Sequence, residues 1–349
     1  MSSFTEALLL LAASHVFLIG AILLRRHRRD RSAVASSLFT FAVVCHLVLP
    51  LLLRHRAPAV LVSLALLGEI AHPFAFWVVA RVHFDDDFSL LPRHWWFLAA
   101  LEGVGYVCWL LTRESGTLEI SRAEPVVWVL LPKLLSLVVT LHACLHVYLG
   151  CRGDLVLSRL KLRYGVLLVC GGYLLIEALF EVLLQGSEAR ALAEQTHAVT
   201  SFVLAFGVSL ASLAAPDLLK PSVILAPGPI LEPQLAERLQ QLIEVEQVFR
   251  EEGLTISTLA ARLDAQEYRV RQLINSQLGF RNFNAFLNHY RVREARKTLG
   301  DPARRHLGIA QVAYEVGYSS LGPFNKAFKE RTGRTPSEFR AQVSVEDAS

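Results

Sequence analysis

Several ionisable residues stand within long apolar stretches of the N-terminal part of the chain, among them Glu69, His72, Glu102, His142, His146, Glu177 and Glu181. Titratable groups in such surroundings are costly and face a bundle interior or a wet cavity. His142 and His146 are four apart, as are Glu177 and Glu181, so each pair shares one helix face. Two chemistries are open to the histidines. They can ligate a metal or haem, or they can hydrogen-bond to neighbouring helices, which is the commoner use. The carboxylates suit a buried polar network, the commoner case, or a proton relay or ligand site. Glu69, His72, His142, His146, Glu177 and Glu181 are thus the candidate sensor residues, with no metal or cofactor specified. Asp85-Asp86-Asp87 suits a solvated helix end, a cation, or docking on a basic surface.

A second set of residues lies in the polar C-terminal third. Tyr268, Arg271, Gln272 and Asn275 share the outward face of a short helix whose inward face is Val270, Leu273 and Ile274. Asn325, Lys326 and Lys329 face outward where Phe324, Ala327 and Phe328 face inward. From Arg269 to Arg334 there are thirteen Lys/Arg against Glu294, Asp301, Glu315 and Glu330, a local balance of +9 in a chain whose net charge is +4. Such a patch suits a polyanion such as nucleic acid, and on charge alone equally a solvated basic surface or attraction to anionic lipid.

The elements that carry the first set are membrane spans. A spanning helix needs about 20 mostly apolar residues, and seven segments qualify: Thr5–Leu24, Ala33–Leu53, Ala59–Ala80, Trp95–Leu111, Val126–Gly150, Tyr164–Leu184 and Ala198–Ala215. The first is no secretory signal peptide, because its basic run, from Arg25 to Arg31, follows the apolar stretch instead of preceding it. With the N-terminus outside, the inner loops hold eleven Lys/Arg and the outer loops five, the bias expected for a cytoplasmic C-terminus. Cys45, Cys108, Cys144, Cys151 and Cys170 are odd in number and form no C-x-x-C, so neither a disulfide framework nor a zinc site is indicated.

Residues 1–215 are therefore expected to form a transmembrane bundle of about seven helices. Residues 216–233, with five prolines and a glycine, read as a semi-extended tether. Residues 234–349 read as a soluble all-helical domain, so the fold class is all-α. Within that domain the spacing predicts a helix over Gln234–Glu252, ended by Gly253, with Leu235, Leu239, Leu242, Ile243, Val245 and Phe249 as its apolar face. Thr255 caps a short helix Ser257–Leu263, and Gln266–Gln277 follows after the Asp264-Ala265 turn. A longer helix Asn282–Leu299 buries Phe283, Phe286, Leu287, Tyr290 and Ala295. The pattern then repeats: Ile309–Val316 ends at Gly317, Ser320 caps a helix running to Arg331, and Gly333 and Pro336 precede a last helix, Pro336–Ala341. Two helix-turn-helix units joined by a connector helix are a far more specific signal than one.

Leu254–Arg340 resembles the DNA-binding domain of the AraC/XylS family of bacterial regulators. The segments that carry the resemblance are LTISTLAARL, the connector FNAFLNHYRVREARKTL, and IAQVAYEVGYSSLGPFNKAFKERTGRTPSEFR. The last holds an Ala-x-x-x-Gly-Tyr turn, a Phe-x-x-x-Phe-Lys recognition helix and a Gly-x-x-Pro close. The apolar N-terminal part is similar to a membrane-anchored subgroup of that family and not to its sugar-binding barrel, so no sugar ligand is implied. The resemblance implies two recognition helices in successive major grooves. By position, Tyr268, Arg271 and Gln272 would face bases, Arg suiting guanine and Gln adenine. In the second unit the matching positions are Leu321, Gly322, Asn325 and Lys326. Leu321-Gly322-Pro323 departs from the polar side chains usual there, so Asn325 and Lys326 are expected to carry the readout, with Leu321 against a thymine methyl. Arg269, Asn275, Arg281, Lys329, Arg331 and Arg334 are expected to position the domain on phosphates. Asp264 and Gln266 stand where Gly and Ser are usual in the first turn.

Three functions are compatible with this organisation. The chain can be a one-component sensor in which a small-molecule or envelope signal, acting on the bundle in the bacterial inner membrane, controls binding to double-stranded DNA, with homodimerisation as one route. The bundle can instead only anchor the regulator among membrane lipid. Or it can be a membrane enzyme or transporter with the DNA-binding domain appended. The chain is expected not to be an enzyme, because no Gly-rich phosphate loop, H-E-x-x-H, G-x-S-x-G or Ser/Lys signature occurs.

Overall fold

The computed structural model describes residues 2–85, 88–114, 125–157, 159–169, 173, 187–214 and 232–346. The chain divides into two compact units, Met1–Cys151 with Lys161–Val223, and Arg152–Leu160 with Ile224–Ser349. The fold is all-α, and no strand occurs among the described residues.

The first unit contains α1 (Ser3–His27), α2 (Arg31–Arg54), α3 (Ala59–Phe84), α4 (Pro92–Glu114), α5 (Pro125–Cys151), α6 (described over residues 159–169, of which the first two belong to the second unit) and α7 (Ser187–Ala214). Polar caps start the first two: Ser2 accepts from the Thr5 amide at 3.2 Å and Asp30 from Ser32 at 2.8 Å. Four stretches are long and apolar enough to cross a membrane: Ser3–Arg25, Arg31–Arg54, Ala59–Phe84 and Leu134–Cys151. They coincide with the expected first, second, third and fifth spans. The expected fourth and seventh fall on α4 and α7 and the sixth begins on α6, without meeting both criteria over the described residues. The proline-rich tether lies outside the described residues, apart from its last two positions.

Small residues let these helices approach closely. Ala12 and Ala13 of α1 meet Ala198 and Ala205 of α7, with Leu9, Leu47 and Leu51 filling around them. Phe76, Ala80 and Phe84 of α3 pack on Ala143 and Val147 of α5. Leu10, Phe17, Leu18, Leu64 and Leu141 point outward, the pattern of helices whose solvent is lipid. Arg163 of α6 is fully buried. It donates to the Phe84 carbonyl at the C-terminal end of α3 at 2.7 Å and to the Val147 carbonyl in the last turns of α5 at 3.1 Å, where the former is an orphan oxygen of the helix end.

The second unit contains α8 (Pro233–Gln240), α9 (Ile256–Arg262), α10 (Glu267–Ser276), α11 (Phe283–Gly300), α12 (Ile309–Glu315), α13 (Leu321–Thr332) and α14 (Pro336–Glu346). α9 to α13 differ from expectation by one residue at one or both ends and α14 runs on to Glu346, beyond the expected Ala341, but the helix expected over Gln234–Glu252 is not continuous. After α8 the chain makes a π turn at Gln241–Val245, turns left-handed at Gln247 (φ 52°) and forms a 3-10 turn at Val248–Arg250. Val245, placed on the apolar face by spacing, is exposed, whereas Val248 and Phe249 are buried. The cause is tertiary. The guanidinium of buried Arg291 holds the Phe249 carbonyl at 2.7 Å and the Glu251 carbonyl at 2.8 Å, and those carbonyls are available only where the helix has stopped.

Two apolar cores result. One gathers α8, α9, α10 and the start of α11 around Leu259, Val270, Ile274 and Phe286. The other gathers α12, α13 and the rest of α11 around Val292, Val312, Phe324 and Phe328. α11 contributes to both, so it is the shared beam of the unit.

Candidate nucleic-acid interface

Each core supports a helix-turn-helix. In the first, Thr255 caps α9 by accepting from the Thr258 amide at 3.1 Å. The turn into α10 passes through Asp264 at φ 51°. That left-handed geometry favours Gly, and Asp tolerates it better than most residues, which accounts for the departure noted at this position. In the second, Gly317 turns the chain at φ 94°, and a Cβ there would sit 2.6 Å from the Arg250 carbonyl oxygen. Only glycine fits. Ser320 occupies the N-cap of α13 without a side-chain hydrogen bond to the helix, so its capping role is limited to its extended backbone. Gly333, at φ 75°, closes α13.

Tyr318 follows the Gly317 turn and locks the second unit to the connector. Its hydroxyl donates to Asn288 at 2.8 Å, and Arg291 lies 5.3 Å from its ring centroid. Burial pushes the phenol up to about 12, against the lowering influence of Arg291 and Arg331. Sequence reasoning passed over Arg291, Tyr318 and Asn288 as site-setting residues. The Gly-Tyr pair was the available signal for Tyr318.

The second recognition helix presents the expected face. Leu321, Gly322, Asn325, Lys326 and Lys329 are exposed on α13, while Phe324, Ala327 and Phe328 are buried. Lys326 lies 3.7 Å from Glu330. Arg331 is exposed and anchored, donating to the Ala285 carbonyl at 2.9 Å and lying 3.2 Å from His289 Nδ1. Burial, then Arg331 and Arg293, hold the His289 imidazole below its ordinary range, which suits its use as an acceptor. Arg334 is exposed beyond the helix.

The first recognition helix differs. Tyr268, 52% exposed, and Gln272 stand outward on α10. Arg271 is only 6% exposed, so the expectation that it points away from the protein does not hold in this conformation. Its guanidinium donates to the Asp154 carbonyl, to the Arg152 carbonyl at 3.2 Å and to Glu267 at 2.9 Å. Asn275 is half-buried and donates to the Phe280 carbonyl at 3.0 Å, closing the end of α10. Arg269 is held by Glu232, with Nε 3.0 Å from each carboxylate oxygen. That bond holds the Glu232 carboxyl below its usual range. The Arg281 carbonyl accepts from the Leu155 amide at 2.9 Å.

The candidate sensor residues fall into separate contacts in the first unit. Glu69 pairs with His46 at 2.6 Å, a histidine that sequence reasoning did not single out. His72 stacks between Phe39 and His46, with centroids 5.8 and 5.4 Å away. His197 of α7 meets His46 edge-on at 5.3 Å and lies 3.2 Å from the Tyr173 hydroxyl. His142 accepts from Trp77 at 3.0 Å, and His146 lies 3.0 Å from Arg81, so both histidines bond to α3. Asp85 pairs with Arg81 at 2.7 Å. No group of residues placed to hold a metal ion occurs among the described residues. Glu177, Glu181, Asp86 and Asp87 lie outside the described residues, as does the Glu102 side chain.

Residues 259–342 match a family model described as a helix-turn-helix domain, and the domain is of the AraC type. The probable transcription factor PqrA of Proteus vulgaris is 26% identical over 101 residues, covering 29% of this chain and 80% of that protein. No solved structure matches the chain.

Proposed function

We propose that the chain is a bacterial membrane-embedded transcription regulator that binds specific double-stranded DNA through its two helix-turn-helix units. The observation that carries this reading is the pair of units sharing α11, with Asn325 and Lys326 exposed on α13 and Tyr268 and Gln272 exposed on α10. These four residues read base edges. Arg271 joins them when released from Arg152 and Asp154. Arg269, Asn275, Arg281, Lys329, Arg331 and Arg334 hold the phosphate backbone or fix the loops that face it. The excess of basic residues in the short loops on one side supports an inner-membrane topology with the N-terminus outside and the DNA-binding unit in the cytoplasm. A signal, a small molecule or an envelope stress, acts on the first unit, where the His46–Glu69 pair and the His72, His142 and His146 contacts are the polar groups available to it. Homodimerisation would raise the local concentration of recognition helices.

The test is a genome-wide chromatin pull-down with the native chain and with an Asn325→Ala/Lys326→Ala chain. Discrete sites that vanish in the double variant support sequence-specific regulation. Identical recovery of both chains, with no discrete sites, contradicts it.

A further inference from the structure

The segment Arg152–Leu160 belongs to the second unit, although in the chain it follows α5 and runs into the start of α6, more than 60 residues before the rest of that unit. It is seated there by several independent contacts. Leu155 is 1% exposed and is part of the first helix-turn-helix core. Asp154 and Asn282 form an isolated antiparallel bridge. Its two backbone bonds run from the Leu155 amide to the Arg281 carbonyl at 2.9 Å and from the Phe283 amide to the Gly153 carbonyl at 2.8 Å. Within the segment itself, the fully buried Asp154 carboxylate accepts from Arg159 at 2.7 Å and from the Val156 amide at 3.0 Å, which fixes its shape. Arg159 in turn reaches the Arg281 carbonyl at 3.3 Å. A leucine sunk in the core, two backbone hydrogen bonds to the start of α11 and the Arg271 guanidinium on the segment's carbonyls mark a built docking site and not a chance loop contact.

We infer that the groove between α10 and the start of α11 is a docking site for Gly153–Val156, and that this segment is a clasp whose seating competes with DNA. The inference rests on the DNA-binding reading given above. The competition is geometric. Arg271 lies one helical turn from Tyr268 and beside Gln272, on the face of α10 that would enter the major groove. The backbone of Arg152 and Asp154 covers that position and takes the guanidinium donors. A groove about 12 Å wide admits a helix or a two-stranded ribbon, but not a recognition helix with a further strand laid on its reading face. Seated, the clasp leaves the second helix-turn-helix exposed and the first one blocked. Unseated, it frees Arg271 for a guanine edge. The clasp continues directly into α5 at one end and α6 at the other, so displacement of either helix pulls on it.

The experiment uses the full chain in lipid nanodiscs and a fluorescein-labelled 40-base-pair duplex of randomised sequence, read by anisotropy. In an antiparallel pair bonded in this way the two residues are not hydrogen-bonded to each other, and their Cα atoms lie about 4.5 Å apart, close enough for a disulfide. An Asp154→Cys/Asn282→Cys chain can therefore be locked by oxidation and released by dithiothreitol, with the crosslink verified by mass spectrometry and the native chain treated in parallel. The expected result is duplex binding at least tenfold weaker in the locked state than after reduction, with no redox effect on the native chain. A Leu155→Ser chain, unseated without a crosslink, should bind at least as tightly as the reduced double variant. Lys326→Ala, outside the clasp, should weaken binding in both the native and the Leu155→Ser backgrounds. Equal affinity of the locked and reduced states, with Lys326→Ala still weakening both backgrounds, overturns the clasp and leaves the DNA-binding reading standing. Failure of every chain to bind duplex overturns both.

Discussion

Gly317 and Asp264 occupy corresponding turns, and the structure separates them by physics. Both have positive φ, 94° and 51°, but only Gly317 is walled in, by the backbone of Phe249 and Arg250. Gly317→Ala should cost about 2–3 kcal/mol or more, from left-handed strain plus a forced shift of that backbone. Asp264→Gly should change stability by less than about 1 kcal/mol. Thermal unfolding of the detergent-solubilised chains distinguishes these outcomes, and equal costs at the two positions would remove the steric argument. Tyr318 gives a pH signature. Its folded pKa, about 12, lies above the ordinary value of 10.0. Its contribution is therefore complete below pH 10 and is lost as pH rises from about 10 through 12. The size is about 2–3 kcal/mol. Tyr318→Phe should abolish that alkaline step, which unfolding curves at pH 8 and pH 11 would show.

Among the elements, the amphipathic helices were legible and the interruptions were not. Period-3.6 spacing located α9 through α14 because each buries one stripe and solvates the other. The same spacing extended a helix through Val245 to Glu252, where the chain instead breaks to offer the Phe249 and Glu251 carbonyls to Arg291. An arginine 40 residues downstream leaves no local trace. The tie should be strong. Arg291→Met should destabilise the second unit by about 3 kcal/mol, since two buried carbonyls lose a charged donor. Arg291→Lys should recover only part, because an ammonium cannot reproduce the planar fork. Denaturant titration of the two chains checks the order. Arg271 shows the complementary failure. Its place on the outward face of α10 was readable, but its cover comes from Arg152–Leu160, whose sequence neighbours are α5 and α6.

At the scale of the molecule, the composition alone divides an apolar part from a basic helical part, and the division follows from two solvents. Leu, Phe and Val facing outward on α1 to α3 suit lipid surroundings, whereas most of the thirteen Lys/Arg between Arg269 and Arg334 face outward and suit water or a polyanion, Arg271 and Arg291 being the buried exceptions. What composition could not convey is that the segment Arg152–Leu160, which follows α5 and runs into the start of α6, belongs to the basic unit, because tertiary assignment of so short a stretch depends on one leucine and two backbone hydrogen bonds. The most direct test of the central claim is hydroxyl-radical footprinting of the full chain, at saturating concentration, on a duplex recovered by the pull-down. Two helix-turn-helix units fixed on one connector predict two protected stretches on one face of the duplex, about 10.5 base pairs apart, with Lys326→Ala weakening protection at one and Gln272→Ala at the other. A single protected stretch, or protection that neither substitution changes, would contradict reading by both units.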